Sequence, residues 1–242
     1  METQEKVKLP QCWQDLNDAL ENGIDRVILF GPSGIGKTYA GMSVGDVEAG
    51  AFRLVCTEDM TNMDVTGSFM PDGKGGFQWL NGSALKAWEG NGVKGGRLIV
   101  DEIDKASGDV YATLLAMLDS PESASWEHPS TGRIHKPRQH FSAIMTTNVE
   151  NMGELPTALT DRFPIKIRIN EPHPNALLRL SPDLRGFAVA MADAGDRRIS
   201  LRAFLAYDTL RKQLGAERSA VLTFGDRAQS ILDAIRVESV SR

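Results

Sequence analysis

Cysteine is nearly missing from this chain. Cys12 and Cys56 are the two present, far apart and without ligand spacing around them. That argues against a disulfide framework or a zinc site, and it reads both as reduced packing thiols. Histidine is almost as scarce, and His128, His135, His140 and His173 match no HExxH-like metal pattern, so they read as surface or loop residues. The longest apolar runs reach only five or six residues, against the roughly 20 that cross a bilayer. The polar opening METQEKVKLP lacks the apolar stretch of a secretory leader. Positive charge is also in deficit, the net being −5. Bulk charge therefore drives no face toward nucleic acid, and only a local basic patch could do so. These absences together predict a cytoplasmic protein with no membrane association.

What is present is α/β patterning. Five short runs read as buried strands: RVILF (26–30), FRLVC (52–56), RLIVD (97–101), FSAIMTT (141–147) and FPIKIRI (163–169). Continuous apolarity suits strands covered on both faces, as in a parallel sheet, while the alternation in FPIKIRI suits an edge. Helices are predicted over 37–48, 82–89 and 107–119, the last with Val110, Leu114, Met117 and Leu118 on one stripe. Strand–helix alternation of this kind predicts an α/β core over 1–170. Beyond the Pro-rich break EPHPN only helical spacing remains, so 171–242 reads as a small all-helical domain. Two segments look inserted. PDGKGG flanked by FM and FQW predicts a β-hairpin at 67–82, and 125–140 reads as a second hairpin carrying Arg133, Lys136 and Arg138.

The chemistry is concentrated at strand ends. GPSGIGKT (31–38) follows RVILF and matches G-x-x-x-x-G-K-[ST]. Phosphate oxygens are held by successive backbone N–H groups there, so Pro32, Ser33, Gly34, Ile35 and Gly36 would form the cradle. The helix beginning near Lys37 turns its positive end to the anion. Lys37 would reach the β- and γ-phosphates and Thr38 would ligate Mg²⁺. RLIVDEID places Asp101 at the carboxyl edge of the sheet, where it would bind Mg²⁺ through water. Glu102 beside it can polarise an attacking water, which argues for hydrolysis. Asn148, ending FSAIMTTN, has three readings: holding the lytic water, sensing the γ-phosphate, or a plain turn residue. Asp104 and Lys105 are given no definite role, and either can be simple exposed charge.

The ordered set GPSGIGKT, LIVDEID, MTTN and LPTALTDRF resembles the AAA+ ATPases, most of all the MoxR-type group and the related cobaltochelatase ATPase subunit, close to the dynein-related division. The segment TEDMTNMDVTGSFMPDGKGGFQWLNG is similar to that group's segment after the second strand, including its helix-2 hairpin insert (67–82), and 125–140 falls where the family carries its pre-sensor hairpin. The resemblance covers roughly 20–210. It implies a five-stranded P-loop NTPase core with a C-terminal helical lid, assembled as a homo-oligomeric ring, usually a hexamer. By the same resemblance Asn148 is sensor 1, Arg162 an arginine finger acting on the neighbouring subunit's ATP, and Arg202 sensor 2 on the lid. Bland readings stand beside these: Arg162 as a salt-bridge partner, Arg202 as a helix-surface charge. Where the family often has Asn–Arg after the Asp–Glu pair, this chain has Asp104–Lys105.

Phe77 and Trp79 put large apolar groups in a glycine-rich hairpin, either to grip a protein partner or folded back on the core. The expected function is Mg²⁺-dependent ATP hydrolysis that remodels or activates a protein partner, for which the resemblance suggests a von Willebrand factor A domain. Two alternatives remain: a DNA-directed motor using the basic residues of 125–140, and a nucleotide-switched module without catalysis. No N-K-x-D guanine reader is found, which favours adenine. No further recognition domain is expected, so specificity would reside in the hairpins, the outer surface or a separate chain.

Overall fold

Apolar runs with β-branched residues build one five-stranded parallel sheet in the computed structural model, which describes residues 9–240. The opening METQEKVK lies outside the described residues. In chain order the elements begin with α1 (Gln11–Glu21), β1 (Arg26–Phe30), α2 (Lys37–Ser43), β2 (Ala51–Val55), α3 (Asn62–Thr66), β3 (Gly67–Pro71), β4 (Phe77–Asn81) and α4 (Ser83–Glu89). They continue with β5 (Arg97–Asp101), α5 (Gly108–Met117), β6 (Trp126–Glu127), β7 (Ile134–His135), β8 (Ser142–Thr146), α6 (Thr157–Asp161) and β9 (Ile165–Arg168). Helices α7 (Pro174–Leu177), α8 (Pro182–Ala192), α9 (Leu201–Leu214), α10 (Ala216–Phe224) and α11 (Ala228–Val240) follow. Among the described residues no helix is long and apolar enough to cross a membrane.

Contacts divide the chain into two units. One holds Asp15–Gly31 and Lys37–Arg168; the other holds, of the described residues, 9–14, Pro32–Gly36 and 169–240.

The first unit is the sheet, ordered β2-β5-β8-β1-β9, with every pairing parallel. Parallel strands all end on one edge, so the segments after β1, β5 and β8 emerge side by side; ligands in open α/β sheets bind at that edge. The core lies among Val65, Leu85, Trp88, Leu98, Val100, Leu114, Met145 and Phe163, all buried. Truncating one such side chain to alanine is expected to cost about 2–5 kcal/mol.

Two local expectations differ from the structure. The run FRLVC does not make a strand covered on both faces. It forms β2 at the sheet's outer edge, where Arg53 is exposed and Val55 stays 43% accessible. The helix expected over 37–48 stops at Ser43. Gly45 turns the chain with φ 73°, and the buried Arg97 guanidinium caps that end, donating to the carbonyls of Gly41 (3.1 Å), Val44 and Asp46 (3.3 Å). β3 and β4 pair antiparallel with Phe69 opposite Trp79, and β6 pairs antiparallel with β7.

The second unit is helical around Leu184, Phe187, Phe204, Tyr207, Ile231 and Leu232. Buried Asp208 organises its polar frame. The carboxylate accepts from the Ser181 amide and hydroxyl, both at 3.0 Å, and from Arg211 Nε at 2.9 Å. Arg211 also pairs with Asp183, joining α9 to the start of α8.

Candidate functional site

Within the sheet unit, the carboxyl edge draws together side chains far apart in sequence. Lys37, the first residue of α2, donates from Nζ to the Gly31 carbonyl at 2.7 Å and to Asn148 Oδ1 at 2.9 Å. Thr38 Oγ1 donates to Asp101 Oδ1 at 2.7 Å. Asp101, 2% exposed at the end of β5, also accepts from Thr146 Oγ1 on the same oxygen. Its other oxygen, Oδ2, accepts from Arg53 Nε at 2.9 Å and from Arg53 Nη2. Burial pushes the Asp101 pKa up, but the hydrogen bonds from Thr146, Thr38 and Arg53 and the Arg53 charge outweigh it, holding the group ionised below its ordinary value.

Glu102 follows immediately and is exposed, in the left-handed region at φ 57° and ψ 47°. A non-glycine residue rarely adopts that conformation, and such outliers concentrate at functional positions. The turn releases the Glu102 side chain from the line of β5, while its amide donates to Thr146 Oγ1 at 3.3 Å. Asp104, beside it, accepts from Thr147 Oγ1 at 2.7 Å and pairs with Lys105.

Pro32–Gly36 belong to the helical unit and find their neighbours there. Gly34 has φ 71°, and a Cβ at that position would stand 3.1 Å from Ser200 Cβ, so both conformation and space require glycine. Arg202, exposed on the first turn of α9, brings its Cδ within 3.9 Å of that same point. Arg198 reaches Ser33 directly, donating to its Oγ at 3.0 Å and its carbonyl at 3.3 Å. Ile35 is buried and Gly36 has φ 115°.

Arg162 ends α6 away from the Lys37–Asp101 group in its bonding. It donates to the Ala158 carbonyl at 2.8 Å and to Asp119 Oδ2 at 3.4 Å, while its buried Nε is left without a hydrogen-bond partner. Phe77 and Trp79 are placed differently from each other. Phe77 is 71% exposed beside the tip, whereas Trp79 packs on Phe69 (ring centroids 5.2 Å), Trp126 (5.3 Å) and His128 (5.3 Å). His128 and His135 are half-buried in this cluster rather than free on a loop. In the second hairpin Lys136 donates to the Glu122 carbonyl at 2.9 Å, and Arg133 and Arg138 are exposed.

Sequence reasoning missed Arg53, Thr146, Thr147 and Arg198. Arg53 had a signal, being the one charge inside FRLVC; the two threonines stood beside Asn148 in MTTN. Arg198 had none apart from its place before SLRAF.

The Thr38 hydroxyl and the buried Asp101 carboxylate form a donor set suited to Mg²⁺, which takes few protein oxygens and keeps most of its water. The same edge offers a lysine for phosphate oxygens and an unburied carboxylate for a nucleophilic water.

The family described as the AAA domain of the dynein-related subfamily matches residues 26–163, more than half of the chain. No curated protein sequence matches. Among solved structures, NtrX from Brucella abortus is similar at TM-score 0.51 and 16% identity, over 98% of this chain and 52% of that one. A candidate ATPase from Cytophaga hutchinsonii matches at TM-score 0.48 and 19% identity, over 83% of this chain and 58% of that one. This chain thus spans little more than half the length of either structure, and at such identities the likeness to NtrX concerns the fold alone.

Proposed function

Because the chain belongs to the AAA domain family, in its dynein-related subfamily, we propose that it is a Mg²⁺-dependent ATPase that works as a homo-oligomeric ring, a hexamer by resemblance to MoxR-type proteins, and remodels or activates a protein partner. The observation that carries this reading is the meeting of Thr38 with Asp101 at 2.7 Å beside Lys37 with Asn148 at 2.9 Å. Four residues from three strand ends have no packing reason to converge so closely on one edge.

Lys37, held between Gly31 and Asn148, would meet the β- and γ-phosphates of ATP and offset charge that develops on transfer. Thr38 and, through water, Asp101 would hold Mg²⁺, which supplies further positive charge to the phosphate oxygens when bound. Glu102 would accept the proton of the attacking water, its exposed carboxylate standing one residue beyond Asp101. Asn148 would keep Lys37 directed at the phosphates. Arg162 would complete the neighbouring subunit's site, which requires it to exchange Asp119 for phosphate.

The partner is read as protein because Phe77, the most exposed apolar side chain of the first hairpin, offers the kind of apolar surface that a protein contact covers. Resemblance to the MoxR-type group points to a von Willebrand factor A domain. Sizing of the purified protein with and without ATP tests the assembly: wild type should shift to a ring with ATP, and Lys37→Ala should not. An unchanged size for wild type would reject the ring.

A further inference from the structure

The Asp101 carboxylate is already fully engaged by the protein, and one of its partners carries a full positive charge. Arg53 is the one charged residue of β2, and register pairs Val55 with Asp101, so Arg53 lies two residues back on the same face of the neighbouring strand. Its side chain runs along the edge to Asp101 and places both Nε and Nη2 on Oδ2. Thr38 and Thr146 use Oδ1. The carboxylate's orientation therefore has two hydroxyl supports that do not depend on Arg53.

Charge is what Arg53 adds. Of the groups bonded to the Asp101 carboxylate, Thr38 and Thr146 are neutral, and Arg53 sets a full positive charge against the negative charge of Asp101. Asp104 is neighboured by Lys105 and Thr147. A divalent cation entering beside Asp101 would meet a guanidinium already on that carboxylate, and the repulsion between them is long-ranged enough to be felt across a water layer. The Arg53 side chain is 47% exposed, so the guanidinium can leave Oδ2 for water with little desolvation cost.

We propose that Arg53 is the resident counter-cation of the metal site: it holds Mg²⁺ affinity down, so that metal is taken up only together with the negative charge of a nucleotide. This rests on the nucleotide and magnesium reading above and adds to it a residue that sets when the metal loads. The threonines keep Asp101 in place, so removing Arg53 subtracts repulsion without disordering the ligand.

The test is a titration of Mn²⁺, read by electron paramagnetic resonance, into the full chain with a non-hydrolysable ATP analogue and into the chain alone. Arg53→Gln should bind Mn²⁺ about tenfold more tightly than wild type in the analogue complex, and should bind it measurably without nucleotide, where wild type does not. Arg53→Lys keeps the charge on a freer, better hydrated stem and should tighten binding about two- to fivefold. If Arg53→Gln does not fold, the lysine variant alone decides by the same comparison. Unchanged or weaker Mn²⁺ binding in the folded variants would overturn the proposal and make Arg53 a support of the carboxylate. Binding of a fluorescent ATP analogue in EDTA separates this from the parent reading: a wild type that binds none loses the nucleotide site itself, whereas one that binds normally leaves only Arg53 in question.

Discussion

Asn148 Oδ1 accepts a hydrogen bond from Lys37 Nζ at 2.9 Å, tying the segment after β8 to the first residue of α2 across 111 positions of sequence. The bond gives a terminal amide a definite partner and Lys37 a definite direction.

Asn148→Ala removes that direction while the Gly31 carbonyl still holds the ammonium at 2.7 Å. Nucleotide binding, measured calorimetrically, should change by no more than about threefold, while phosphate release falls about 10- to 100-fold, the usual scale for a positioned group acting in the transition state. Equal losses in both would make Asn148 a binding residue only.

Arg162 has two possible employments, and one pair of variants separates them. As an arginine finger, Arg162→Ala should abolish nearly all turnover with nucleotide binding retained, since such groups contribute about 10³–10⁵ in rate. Asp119→Asn, which frees the same guanidinium, should leave turnover near wild type. Identical behaviour of the two variants in phosphate release would assign Arg162 to the pair with Asp119.

The first hairpin makes a further division. Phe77→Ala touches an exposed side chain and should leave thermal stability and basal turnover within error while lowering stimulation by a protein partner. Trp79→Ala opens the cluster with Phe69, Trp126 and His128 and should destabilise the sheet unit by about 2–4 kcal/mol in urea unfolding. Intact partner stimulation in Phe77→Ala would remove the exposed ring from the contact.

Asp208 sets a pH dependence for the helical unit. Burial pushes its pKa up, but the Ser181 amide and hydroxyl and Arg211 outweigh that and leave it below its ordinary value of 3.8. A depressed folded pKa means stability that is present above pH 3.8 and lost as pH falls through the folded value. Asp208→Asn should therefore cost about 2 kcal/mol at pH 7 in urea melts, with the gap to wild type closing as pH falls below 3.8. A gap that stays constant through that window would contradict the assignment.

Much of the frame was legible because its causes are local. Five apolar runs with turn chemistry between them are enough to predict the strands, and Lys37, Thr38, Asp101 and Glu102 stand at the spacing that a phosphate, metal and water site would need. What escaped depends on partners distant in sequence. The end of α2 is decided by Arg97, more than fifty residues away. β2 became an edge strand only through sheet order, and that exposure is what lets Arg53 lie along the surface to Asp101.

The central claim is that Glu102 activates water against a phosphate group held beside Lys37, Thr38 and Asp101. Single-turnover assay of Glu102→Gln with γ-labelled ATP tests it most directly. The variant should bind ATP as tightly as wild type and retain it uncleaved. Release of labelled phosphate at the wild-type rate would contradict the account.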